Sequence, residues 1–350
     1  MNELSRRNFI RLLAASLGSL GGVYLAGCLN QEKLLSKSLS PEKISPTPFL
    51  PNSTNTEILP TETISPTDKP EDIPTPSPTR AYPDLTVARN GDPEAMVRQA
   101  VKALGGMGRF VKSGDIVVVK PNICVSYHGY KYAATTNPWV VGTVVKLALD
   151  AGAKKVKVMD YPFGGTAEQA YSISGIQSEV IKAGGKMVVM SSLKYVDTSI
   201  PQGKDLKSCR IYDEVLKADV LINIPIAKHH GLARLTLAMK NLMGIIYDRP
   251  VMHVNIGQRL ADLNSRVRSS LVIVDAVRML MDHGPSGGNL ADVKKADTII
   301  ASPDIIAADT YAAGLFGLKP KQVSYIKKGA EMGLGIKDLS QLKIEEINLG

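Results

Sequence analysis

Five histidines, a handful of lysines and four acidic or amide positions at the ends of apolar runs are the residues of this chain whose types and spacing suit chemistry. The densest group is Lys228-His229-His230, directly after an apolar run that closes on Pro225. Histidine titrates near neutrality, so such a group suits general acid–base work. It equally suits metal ligation, with His229, His230 and His253 as candidate ligands and no ordered ligand spacing to fix a metal. A plain solvated loop would carry the same residues. Lys240-Asn241, beside Gly244, places a cation and an amide at the end of a short apolar stretch. With Thr236 and Arg234 upstream, it reads as a site for a phosphate or carboxylate. An amphipathic helix packing Leu232, Leu235, Leu237 and Met239 inward is the alternative. Lys120-Pro121-Asn122, Asp160, Asp275 and the segment His283-Gly284-Pro285-Ser286-Gly287-Gly288 complete the set. The last could wrap an anion with backbone N–H groups or form a surface turn.

What these residues share is their place. Each follows a short run rich in Val, Ile and Leu: Asp115–Lys120, Lys155–Asp160, Ala218–Pro225 and Leu271–Ala276, with further runs at Gly184–Met190 and Asp297–Ser302. Helical patterns lie between them. One opens at Asp92-Pro93-Glu94 and runs to Leu104. Another opens at Asn137-Pro138 and runs to about Asp150, closed by Ala151-Gly152-Ala153. Others span Gly165–Gly175, Ile176–Ala183, Gly231–Met243 and Pro303–Phe316. Buried strands alternating with helices predict an α/β fold, a mainly parallel sheet with helices on both faces. Ligands of such sheets bind beyond the carboxyl ends of the strands. That rule gathers Lys120, Asn122, Asp160, Lys228, His230 and Asp275 toward one region.

Composition sets the outer limits. The chain has 350 residues and a formal charge of +9, nearly all of it contributed by the part after residue 82. No basic stripe interleaved with aromatics is present, which argues against nucleic acid and fits a small anionic ligand or a generally basic surface. The three cysteines, Cys28, Cys124 and Cys209, make no disulfide framework. They supply no Cys-x-x-Cys, so the chain holds no self-contained iron–sulfur cluster. Whether Cys124 and Cys209 pair is open. Dinucleotide, P-loop, nucleophile-elbow and His-Glu-x-x-His signatures are absent.

The N-terminus reads as an address. Ser5-Arg6-Arg7-Asn8-Phe9-Ile10 precedes a short apolar run, Leu12 to Ala26, then Leu25-Ala26-Gly27-Cys28. The paired arginines resemble a twin-arginine export signal, and Leu-Ala-Gly-Cys a bacterial lipoprotein box. The expectation is a signal peptide over 1–27, lipid on Cys28, a Pro/Ser/Thr-rich tether to residue 82 and an α/β domain over 83–350. The domain would sit in the cell envelope, outside the cytoplasmic membrane. An uncleaved anchor helix is the competing reading.

Several of these segments, taken in order, resemble one bacterial and archaeal family. They are Val117-Val118-Val119-Lys120-Pro121-Asn122, Thr135-Thr136-Asn137-Pro138, Asn223-Ile224-Pro225 leading to Lys228-His229-His230, Thr236 to Lys240-Asn241-Leu242-Met243-Gly244, His253, Val274-Asp275-Ala276 with His283-Gly284-Pro285, and Asp304 with Ala308-Asp309. The family is the one described as domain of unknown function 362, and the resemblance covers about residues 85–320. Members often carry a ferredoxin-like module, which implies redox work. This chain lacks the cysteines for it, so electron transfer would need a separate partner or an organic or metal cofactor. The family's Lys-x-His pattern falls on Lys228 and His230.

The leading expectation is an exported, lipid-anchored enzyme acting on an anionic small molecule or envelope component. Lys120, Lys228, Lys240, Asn122, Thr236, Asn241, His283 and Gly284 would bind it. His230 and His253 would move protons or hold a metal, with Asp160 and Asp275 orienting them. A non-catalytic lipoprotein that binds a solute or another envelope protein is the alternative.

Overall fold

A computed structural model describes residues 81–350. The export motif, Cys28 and most of the expected tether lie outside those residues. None of the described helices is long and apolar enough to cross a membrane.

The apolar runs become strands. β1 is Leu85–Arg89, β2 Ile116–Pro121, β3 Lys155–Val158 and β4 Lys186–Met187. β5 (Tyr195–Ser199) and β6 (Ser208–Tyr212) form a separate antiparallel hairpin. β7 is Val220–Ile224, β8 Ile226–His230, β9 Arg234–Thr236, β10 Leu271–Leu280, β11 Val293–Ser302 and β12 Ile344–Asn348. The main sheet runs β12-β1-β11-β10-β7-β2-β3-β4, with β8 paired to β10 and β9 to β8. The block β10-β7-β2-β3-β4 is parallel throughout. β11 is antiparallel to both of its neighbours, β1 and β10, so the sheet is mostly, not wholly, parallel.

Side-chain alternation along β2 divides the core. Val117 and Val119 face the layer formed by α1 (Pro93–Ala103), α2 (Pro138–Asp150), α3 (Ala167–Ile173) and α4 (Ile176–Lys182). Val118 faces the opposite layer. That layer contains α6 (Ala238–Asn241), α7 (Ile256–Arg266), α8 (Ile305–Gly314) and α9 (Ser324–Glu331), while α5 (Asp213–Leu216) is a single turn before β7. Each fully buried valine contributes about 1.5–3 kcal/mol. Lys120 is two residues beyond Val118, so period two delivers its side chain to the α6 side.

Five expected elements differ. Gly231–Met243 is not one helix. β8 and β9 form a hairpin, pairing Lys228 with Thr236 and His230 with Arg234. Gly231 starts its turn, and Arg234 takes a left-handed φ of 66°. Only then come the single turn α6 and a 3-10 turn over Leu242–Ile245. A short hairpin folded onto β10 outweighs the helix propensity of so brief a segment. Thr236 and Lys240 therefore do not share a helix face. The run Gly184–Met190 keeps only two residues as strand, because β4 is an edge with one neighbour. β10 and β11 extend four residues later and earlier than expected, as two partners of one antiparallel ladder. The strand expected to end at Asp160 stops at Val158, releasing Asp160 to bond outside the ladder.

Candidate functional site

Beyond the carboxyl ends of β2, β3 and β7 lies a cleft of about 650 Å³. It collects Lys120, Asn122, Asp160, Lys228, His230, Thr236, Lys240, Asn241 and His253 from the expected set. Asp275, His229, His283 and Gly284 are not on its wall.

One side of the cleft is closed by its own hydrogen bonds. Lys120 Nζ lies 2.7 Å from Asp160 Oδ1, both side chains almost wholly buried. The same ammonium donates to Asn241 Oδ1 at 3.0 Å and to the Pro121 carbonyl at 2.9 Å. Its three donors are thereby used. Burial pulls Lys120 below the ordinary lysine value, and Asp160 opposes the shift. Asp160 also accepts from the Ile123 and Tyr161 N–H groups. Asn241 donates to the Lys120 carbonyl and to Asn223 Oδ1, and its Oδ1 also accepts from Asn122 Nδ2. β2 and β7 are paired so that Lys120 and Asn223 are direct neighbours, which is why one amide can span both. Gly244 is obligatory here. A Cβ on it would stand 1.9 Å from Asp160 Oδ1 and 2.7 Å from Lys120 Nζ.

The turn that carries Lys240 and Asn241 is too short to stabilise itself. Asp309 on α8, fully buried, accepts from the Ala238 and Met239 N–H groups at 2.6 and 3.0 Å. Burial raises that carboxyl to about 7. Asn223 fixes the other side by donating to the Ala238 carbonyl.

The opposite side is cationic and open. Lys240 is only 9% exposed, and among the described residues its ammonium has no hydrogen-bond or carboxylate partner. Burial first, then Lys228, Lys120 and Arg249, pushes it down to about 7. Lys228 donates to the Ala134 and Pro285 carbonyls at 2.6 and 2.8 Å, with no carboxylate on it. Arg249 packs its guanidinium over the Tyr161 ring and donates to the Tyr161 carbonyl. Asp160 is the one carboxylate on the wall, and Lys120 holds it. The cleft thus carries a surplus of positive charge in an environment of Ile123, Phe163, Leu232 and Met243.

Strand alternation also settles the adjacent histidines. His230, on the same side as Lys228, reaches the cleft, whereas His229 faces away and accepts from the Gly284 N–H at Nδ1. His230 Nδ1 accepts from the Leu232 and Ala233 N–H groups, which assigns the hydrogen of the neutral ring to Nε2. Burial, then Lys240 and Lys228, pushes His230 down to about 3. His253 is lowered by its partial burial and by Lys240 and Arg249. Both rings are neutral at pH 7. No group of three His, Cys, Asp or Glu among the described residues is arranged to hold a metal ion.

The remaining expected residues have other positions. Asp275 is fully buried and accepts from the Asn137 and Val277 N–H groups; burial raises it to about 6. It anchors the start of α2 to β10. Neither Asp160 nor Asp275 touches a histidine. His283 is exposed and meets Asp292 at 2.9 Å. Only Pro285 of the glycine-rich segment reaches the cleft, and Gly284 packs where a Cβ would strike the His229 carbonyl. Cys124 and Cys209 are both free. Sequence reasoning did not place Cys124, Arg249, Tyr161 or Phe163 in the site. Cys124, Tyr161 and Phe163 lie in connections after strands and Arg249 opens a 3-10 turn, where no periodicity signals direction.

The family model described as domain of unknown function 362 matches residues 117–314. The chain is 27% identical over 255 residues to a thylakoid-associated protein of Synechocystis sp., covering 69% of this chain and 75% of that protein. Among solved structures it is similar to the lactate racemase apoprotein from Thermoanaerobacterium thermosaccharolyticum, with TM-score 0.41 and 13% identity over 66% of this chain and 56% of that one. A structural-genomics protein from Thermotoga maritima gives TM-score 0.40 and 12% identity, over 65% and 60%. The chain spans less than two thirds of either solved structure.

Proposed function

We propose, from the premise that the chain belongs to the domain of unknown function 362 family, that its cleft receives an anionic small molecule with an apolar body and acts on it by acid–base chemistry. The observation that carries this reading is Lys240, a nearly buried ammonium with no partner among the described residues, in a wall that already holds Lys228 and Arg249. An unpaired buried charge costs folding free energy, and a ligand carboxylate or phosphate would offset that cost. With its proton held near neutrality, Lys240 can both give and take one. His230 Nε2–H is a donor for a ligand oxygen.

Calorimetric titration with phenyllactate, an aromatic carboxylate, checks the reading. Lys228→Met and Lys240→Met should each bind at least about tenfold more weakly than the unaltered protein, while His283→Ala, outside the cleft, binds as well as it does. Equal affinity in all three would sink the assignment. Binding without turnover is the second reading, favoured by the commitment of Asp160, the cleft's carboxylate, to Lys120.

Export and a lipid on Cys28 complete the proposal, supported by the arginine pair and the Leu-Ala-Gly-Cys box. Metabolic palmitate labelling should mark the chain and be lost in Cys28→Ser; persistent labelling would refute the anchor.

A further inference from the structure

Resting on the anion-binding reading, a second argument names the ligand's chemistry. Lys240 differs from the other two cleft lysines in having its nitrogen uncommitted. Lys120 is saturated by Asp160, Asn241 and Pro121, and Lys228 is turned onto two carbonyl oxygens. Two further groups on the same wall lack partners: Asn122 Oδ1 and Thr236 Oγ1 are buried and make no hydrogen bond. Buried polar atoms without partners are rare and call for an explanation. Here one is an acceptor and the other a hydroxyl that both donates and accepts. That pair suits a ligand oxygen which changes from carbonyl to hydroxyl.

We propose that Lys240 is an imine-forming lysine, and that the cleft takes small carboxylates bearing an aldehyde or ketone carbonyl. The amine lone pair forms a bond to the carbonyl carbon, and the C=O π pair moves to oxygen. One amine proton is transferred to that oxygen, giving a carbinolamine. The C–O bond then breaks and water leaves with the second amine proton, so amine and carbonyl become imine and water. Lys228 and Arg249 supply the charge opposite the ligand's carboxylate. Desolvated lysines beside other cations are the amines that remain neutral enough for this step.

The test is reductive trapping on the full chain with cyanoborohydride, using phenylpyruvate and glyoxylate as carbonyl probes, followed by peptide mapping. Phenyllactate, which lacks the carbonyl, reports anion binding alone. The expected result is one adduct on Lys240, abolished in Lys240→Arg. Its second-order rate should rise with pH and level off above about 7, whereas trapping at an ordinary surface lysine continues to climb toward pH 10. Phenyllactate binding without any Lys240 adduct would overturn the imine and leave the anion site standing. An adduct on a different lysine, or one whose rate climbs past pH 9, would also overturn it. Failure of both binding and trapping would remove the underlying reading as well.

Discussion

Lys120 and Lys240 line the same cleft and are both nearly buried, yet the fold treats them in opposite ways. Lys120 is given a carboxylate, an amide oxygen and a carbonyl. Lys240 has no partner among the described residues, and two more cations, Lys228 and Arg249, are placed near it. A buried charge whose partners all come from the protein is part of the framework. A buried charge left unpartnered is held ready for something the protein does not itself contain. Proximity to a cleft does not separate the two cases; the count of satisfied donors does.

The comparison can be broken most severely at Asp160. Asp160→Asn leaves the Lys120 ammonium buried without its counter-charge, and should cost about 3–5 kcal/mol in denaturant unfolding. A loss below about 1 kcal/mol would mean the ion pair contributes little and would dissolve the distinction.

The smaller effect has the opposite sign. Lys240→Met removes an unpaired buried charge, so it should raise stability at pH 7 while weakening ligand binding, the usual cost of a functional site. Its pH dependence sharpens the point. Lys240 titrates at about 7 in the folded protein and near 10.4 unfolded, so between those values the unfolded chain binds the extra proton. Stability then increases with pH over that window, by about 1.4 kcal/mol per pH unit at most. Lys240→Met should lack that part of the slope between pH 7.5 and 9.5. Parallel curves for the two proteins would show that Lys240 is solvated.

Much of the framework was legible because it follows from local pattern. The apolar runs at Val117–Val119, Val220–Ile224 and Leu271–Val274 can be buried on both faces only in a covered sheet, and Asn137-Pro138 is a start signal that does open α2. The rule that parallel sheets place ligands beyond their carboxyl ends pointed to Lys120, Asn122, Asp160, Lys228 and His230, which do line one cleft, and to Asp275, which does not. The hairpin of β8 and β9 was misread because Lys228, His230 and Thr236 put polar side chains on the inward face. A strand that lines a cleft does not show the apolar alternation of one that lines a core. Asp309 as the anchor of α6 was hidden for another reason: the two are 71 residues apart, and only packing of α8 against that turn brings them together.

The sequence alone determined the α/β class, the strand ends that converge and the family of the chain, since hydrophobic periodicity and residue order are local properties. It also supplied the lysines and the histidines. Which lysine is neutralised and which is left bare was decided only in three dimensions. Desolvation and charge pairing depend on neighbours brought in from β3, β7, α8 and the connection after β10, and no spacing along the chain encodes that meeting.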